Sequence, residues 1–258
     1  AVYGHDVSAA LSDYRPPAVV ADIALDVSGR GRYEVLQRPQ GLGVTGRPLK
    51  TAVTIVPSKM RTDGGGILRY SYCDPAFIMG TPMTAARPLE DWAAISAQNR
   101  WQGLIFAGEH DARIVPIVRP KDNRRALNAQ WSVQSKGSLI TQKLKHHKGG
   151  AEMIVWISKD GLSVPVEEDG MIFVEAENAY AGIKVFQGGF EWRHTPFIAM
   201  SGDKSSRSTP EGKTMILNEE YAPVILEVMA KSDAGNFDAF KAMVKSCRIR
   251  MNGPVLEY

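Results

Sequence analysis

Short stretches in which apolar and polar residues alternate, bounded by glycine, proline or aspartate, recur along most of this chain. A period of two sends successive side chains to opposite faces of an extended strand, whereas a helix needs a period near 3.6. AVVADIALDV (18–27) takes up the alternation towards its end, and GRYEVLQR (31–38) continues it. PLKTAVTIVP (48–57) is a β-branched run, followed by the turn cluster Asp63-Gly64-Gly65-Gly66 and then ILRYSYC (67–73). WQGLIFAG (101–108) and ARIVPIVRP (112–120) read as consecutive strands joined through Gly108-Glu109-His110-Asp111. Ser138 to Leu144 and Met153 to Ser158 read as a hairpin around KHHKGG (145–150). MIFVEAEN (171–178) and AYAGIKVFQGG (179–189) form a second such pair.

Helical signals are few. DVSAALSDY (6–14) reads as a short helical turn stopped by Arg15-Pro16-Pro17. PLEDWAAISAQN (88–99) fits either a helical turn or the start of a strand, and GDKSSRSTPEGK (202–213) is a polar loop. In DAGNFDAFKAMVKSC (233–247), Phe237, Phe240, Met243 and Val244 make one apolar stripe, with Asp233 as the expected cap. A last strand, GPVLEY, closes the sequence. The expectation is a mainly β fold: a large antiparallel β-sandwich with a short N-terminal helix and one C-terminal helix. Residues 1–16 form the helical segment and linker, and 17–258 the sandwich domain.

Composition excludes several classes. Hydrophobic residues make up 44% of the 258, enough for a sizeable core, while 31 basic against 28 acidic residues leave only a small positive excess. No concentrated basic face is visible, so nucleic acid is not an expected partner. No apolar run nears the ~20 residues of a membrane span, so a membrane is not expected either. Cys73 and Cys247 could pair once or sit apart as small core residues. The opening residues carry no secretion signal, and the missing initiator Met suggests a processed chain or a piece of a longer one.

Catalytic and metal motifs are incomplete. There is no HExxH, CxxC, GxSxG or Walker loop, and His5, His110, His146, His147 and His194 are not spaced as a metal set. No metal or cofactor is expected. Paired carboxylates for glycoside chemistry would have to come from Glu167-Glu168-Asp169, from Glu175 with Glu177 on one strand face, or from Glu219-Glu220. The stretch Asn99-Arg100-Trp101-Gln102 is the most distinctive. It joins a flat indole to amides and a guanidinium, the groups that stack on sugar C–H faces and hydrogen-bond hydroxyls or carboxylates. The alternative is a Trp plugging the core, with amides satisfying strand ends. Trp192, Arg193 and His194 make a second patch of similar content, and Tyr72, beside Tyr70, is a further candidate for ligand binding. Lys136, Lys143, Lys145 and Lys148 fit either a solvated hairpin tip or an attraction for acidic polymers.

Several phrases in order carry a resemblance: DPAFIMGTP (74–82), ISAQNRWQGLIFAG (95–108), IFVEAENAYAGIKVFQGGFEW (172–192), EEYAPVILEV (219–228) and the NFDAFKAMV helix. Together they are similar to the C-terminal β-sandwich of heparinase-like polysaccharide lyases and related bacterial carbohydrate-active proteins, in which a helical toroid precedes the sandwich. The resemblance covers most of 17–258 and contains no short catalytic motif. It implies a carbohydrate-associated module of a secreted or periplasmic protein. Such a module would bind polysaccharide or oligosaccharide, or pack against a helical toroid domain of the same full-length protein. A polysaccharide lyase or glycoside hydrolase acting alone is the enzymatic alternative, with Arg100 or Arg193 neutralising a uronate. A purely structural domain is the third.

Overall fold

A computed structural model describes residues 18–19, 31–37, 68–83, 102–120, 130–143, 151–193, 211–252 and 255–258. Asn99, Arg100, Trp101, His146, His147 and His194 lie outside these, as do the segments 6–14, 48–57, 63–66 and 88–99. Ala18 and Val19, expected to begin a strand, are helical.

Antiparallel strands dominate. Tyr33–Gln37 (β1), Leu68–Asp74 (β2), Phe77–Met83 (β3), Gly103–Phe106 (β4) and Arg113–Pro120 (β5) follow one another in sequence and in space. The chain then gives Gln130–Ser135 (β6) and Ser138–Lys143 (β7), then Ala151–Ser158 (β8), then Val166–Glu168 (β9), Met171–Glu175 (β10) and Ala179–Val185 (β11). Phe190–Arg193 (β12), Gly212–Leu217 (β13) and Val224–Ala230 (β14) complete the two large sheets. Their orders are β1-β2-β3-β4-β5-β8-β13-β12 and β6-β7-β14-β11-β10-β9.

One apolar cluster fills the space between the sheets. Phe77, Met79, Leu104, Ile114, Met153, Val155 and Met215 of the eight-stranded sheet meet Ile172, Val174, Ala181, Ile183 and Leu226 of the six-stranded one. Each fully buried side chain of this size contributes about 1.5–3 kcal/mol. The fold is therefore the expected mainly β antiparallel sandwich. The expected consecutive pairs β4–β5 and β10–β11 are both present.

One hairpin is different. β7 and β8 do not pair: β7 lies in the six-stranded sheet between β6 and β14, and β8 lies in the other between β5 and β13. The two-residue connection Lys136-Gly137 closes β6 onto β7, with Ser135 opposite Ser138. This shorter closure takes the pairing edge that the hairpin around KHHKGG would have used. Glu175 and Glu177 also fail to share a strand, because β10 ends at Glu175.

The outer face of the six-stranded sheet carries the helices. Lys231–Ala234 (α1) stops at Gly235, whose φ of 77° lies in the left-handed region that glycine favours. Phe237–Ser246 (α2) then starts afresh, capped by Asn236, whose side chain accepts from the Ala239 amide at 2.8 Å. The cap is thus Asn236 and not Asp233, because the helix is broken between them. Phe240 and Val244 pack against Phe173 and Tyr180 of the sheet. Gly182 permits this approach: a Cβ there would meet both Phe173 and Val244 at 3.2 Å. Arg250–Asn252 (β15) and Val255–Glu257 (β16) form a separate small hairpin. No described helix is long and apolar enough to cross a membrane.

Candidate functional site

Where the β2–β3 turn, the β6–β7 turn and the start of α1 converge, the structure holds a cavity of about 490 Å³. Tyr72, Asp74 and Phe77 form one wall, Lys136 and Ser138 a second, and Glu227 and Met229 of β14 a third. Asp233 of α1, Met243 of α2, Cys247 and Tyr258 complete it. Ligand sites are typically clefts of ~300–1,000 Å³ with a few convergent polar groups among apolar ones.

Polar ties hold these walls in place. Arg32 reaches Asp74 at 2.6 Å and Asp233 at 2.5 Å, joining the end of β2 to α1. The two carboxylates hold the guanidinium well above its ordinary range. The other Asp74 oxygen accepts from the Ala76 amide at 2.8 Å, fixing the β2–β3 turn. The Tyr70 hydroxyl donates to Glu34 at 2.7 Å and accepts from the Lys136 amide at 2.9 Å, tying the β6–β7 turn to β2. Burial, more than neighbouring charge, pushes the Tyr72 phenol up, while nearby Arg32 opposes the shift. Its ring stands 5.9 Å from that of Phe77.

Glu227 stands apart from the other carboxylates because it is buried, with only 8% of its surface exposed. On the outer face of the sheet, Ser138, Glu227, Gly182 and Phe173 lie side by side across β7, β14, β11 and β10. α2 covers the Phe173 end of this row, and the cavity takes in the Glu227 end. Glu227 Oε2 accepts from Ser138 Oγ at 2.7 Å, whereas its buried Oε1 has no hydrogen-bond donor among the described residues. Burial pushes this carboxyl up, with Ser138, Tyr258 and Lys184 pulling the other way. Lys184, also buried, donates to the Cys247 carbonyl at 3.0 Å and lies 5.1 Å over the Tyr258 ring; burial pushes its ammonium down. The Tyr258 phenol is pushed up by burial and then by Glu227.

Of the residues expected from sequence to bind a ligand, Tyr72 lines this cavity. Gln102 faces the interior and spans the two sheets: its Oε1 accepts from Thr81 and Ser132, and its Nε2 donates to the Pro116 carbonyl and to Thr141. Trp192 is half-buried against the core, edge-on to Phe190 at 5.5 Å, with the Lys213 ammonium 5.4 Å over its ring. Arg193 is bound to Glu191 at 2.7 Å and Glu152 at 3.3 Å, so its charge is already matched. β2 and β12 are six strand steps apart in one sheet, roughly 29 Å at the usual spacing. Tyr72 and Trp192 therefore do not share a site.

Three of the paired-carboxylate candidates are bound by lysines. Glu168 binds Lys241 and Lys245 of α2, Glu175 binds Lys231, and Glu220 pairs with the buried Lys143. Both cysteines are free, Cys73 buried and Cys247 exposed. His110 meets Asp160 at 3.0 Å on an exposed loop. Asp74, Ser138, Glu227, Asp233 and Tyr258 line the cavity without having stood out in the sequence as ligand-binding residues, and Lys184 lies on the same sheet face as Glu227. Lys184 and Glu227 did leave a signal, since each interrupts an otherwise apolar strand, AYAGIKV and VILEVMA. A charge in such a run must be either exposed or specially partnered.

No family model, no curated protein and no solved structure matches this chain.

Proposed function

We propose that this protein is a carbohydrate-binding β-sandwich module that holds a neutral saccharide in the cavity beside Tyr72. The observation that carries this reading is the combination of aromatic and hydroxyl-binding groups around one cavity. Tyr72, Phe77 and Tyr258 supply rings, while Asp74, Asp233, Glu227 and Ser138 supply acceptors. A sugar presents apolar C–H faces and a rim of hydroxyl donors, and such walls complement both. Charge favours a neutral ligand over a uronate: Arg32, Lys136 and Lys184 offset Asp74, Asp233 and Glu227 at or beside the cavity. The ordered sequence phrases similar to heparinase-like sandwiches support the same substrate class. They further suggest a secreted bacterial protein in which the sandwich packs against a helical toroid domain.

A panel of immobilised neutral and uronate-containing polysaccharides tests this, scoring retention together with new reducing or unsaturated ends. The expected result is retention on a neutral glycan without products. Tyr72→Ala weakens it about tenfold while the circular-dichroism spectrum is kept, as expected for losing one stacking ring at ~1–1.5 kcal/mol. Retention on no glycan would sink the proposal. Products released by the purified chain would replace binding with a lyase or hydrolase activity.

A further inference from the structure

Lys184 of β11 and Glu227 of β14 are both buried, and one residue touches both of them. Tyr258, which follows β16, holds its ring 5.1 Å from the Lys184 ammonium, and its hydroxyl donates to the Glu227 carboxyl. Tyr258 lines the cavity and is itself partly exposed, so it stands between solvent and the two ionisable groups. The segment that brings it there is fastened lightly. β15 and β16 pair with each other and with no strand of either large sheet. Tyr258 can therefore lift away without breaking a ladder hydrogen bond of the sandwich. We infer that β15, β16 and Tyr258 form a strap that closes over Lys184 and Glu227 and, by lifting, opens this end of the cavity.

Opposing effects bring the closed and open states close in free energy. Closing sets a cation against an aromatic face and gives the Glu227 carboxyl a donor besides Ser138. Both contacts are stronger away from water than in it. Closing also withdraws an ammonium and a carboxyl from solvent, and burial pushes the first down and the second up. Opening returns both groups to water, which offsets much of what the contacts gain. None of these side chains belongs to the apolar cluster between the sheets, so the strap can open while the sandwich stays folded. The strap stands on this geometry alone; that it gates a saccharide rests on the carbohydrate reading.

The test is acylation of the whole chain by a small N-hydroxysuccinimide ester, read at Lys184 by peptide mass spectrometry against the exposed Lys159. Wild-type Lys184 is expected to react more slowly than Lys159. Tyr258→Ala should speed Lys184 about tenfold, the scale of one desolvated cation–π contact, with Lys159 and the circular-dichroism spectrum unchanged. Tyr258→Phe keeps the ring and loses the hydroxyl, and should fall between. Hydrogen exchange of the wild type should be faster in β15 and β16 than in β11 and β14. Lys184 reacting equally in wild type and Tyr258→Ala, or as fast as Lys159 in wild type, would overturn the cover. Exchange in β15 and β16 as slow as in β11 would overturn the opening. If Tyr258→Ala fails to fold, the two wild-type measurements decide. For a glycan that binds wild type, Tyr258→Ala should raise the association rate, and an unchanged rate would overturn the gating. Strap behaviour in the labelling with no glycan bound would overturn the carbohydrate reading alone.

Discussion

Replacing Gln102 by Leu separates an interior role from a ligand-binding one. The side chain makes four hydrogen bonds between the sheets: from Ser132 at 2.6 Å, from Thr81 at 3.2 Å, and to Pro116 and Thr141 at 3.1 Å each. When Leu takes its place, Ser132 and Thr141 keep the 3.0 Å bond they already share. The Thr81 hydroxyl and the Pro116 carbonyl lose their Gln102 partner. Two stranded groups at about 2 kcal/mol each exceed the roughly 2 kcal/mol gained by burying Leu, for a net cost of about 2 kcal/mol. For a domain of this size that lowers the melting temperature by roughly 4–8 °C. Urea unfolding followed by tryptophan fluorescence measures the change, and the double variant Gln102→Leu with Thr81→Val should regain part of it. Saccharide affinity measured well below the transition should be unchanged. A Leu variant as stable as wild type would refute the reasoning about the network. One with intact stability and lost affinity would return Gln102 to the ligand.

Two further outcomes concern the helix beside the cavity. Phe240 is 1% exposed and packs edge-on to Phe173 at 6.4 Å, so Phe240→Ala should cost about 3–5 kcal/mol. Hydrogen exchange should speed most in α2, because the apolar cluster under α2 is separate from the main core. Hydrogen bonds from Lys241, then from Lys245, hold the Glu168 carboxyl below its ordinary range. An acid with a depressed folded value contributes stability above its unfolded pKa and loses it as pH falls through the folded value. Acidification below the ordinary carboxylate range should therefore loosen α2 from β9, seen as faster α2 exchange, and Glu168→Gln should remove that pH dependence.

How far the sequence was legible follows from the range of each interaction. The β10–β11 pair and the helix stripe are local patterns, visible because period and spacing need only a few residues. The β7–β8 misreading shows the limit: both segments alternate correctly, but alternation says nothing about which sheet a strand joins. A short closure at Lys136-Gly137 decided that. The Asp169-Gly170 turn, with φ of 53° and 71°, is the kind of local signal that would have revealed the β9–β10 hairpin. Gln102, expected to bind a ligand, has its hydrogen bonds across the sandwich. Composition alone could not tell a partner sugar from partners across the sandwich.

The cavity was harder to see because its groups come from positions 72, 74, 138, 227, 233 and 258, which only the crossing of the chain between sheets brings together. What survives in the linear sequence is the misfit of single residues. Lys184 and Glu227 sit in strands where every neighbour is apolar, on the same outer face, one strand apart and diagonal in register. Neither is solvated, and no ion pair between them removes the cost of both burials. Glu227 is instead hydrogen-bonded by Ser138 and Tyr258, and Lys184 donates to the Cys247 carbonyl. Two apolar residues at these positions would cover the sheet more cheaply, as the Phe173 end of the same row does under α2. A buried acid and a buried base kept apart beside a cavity therefore mark the part of this surface where stability is set against something else.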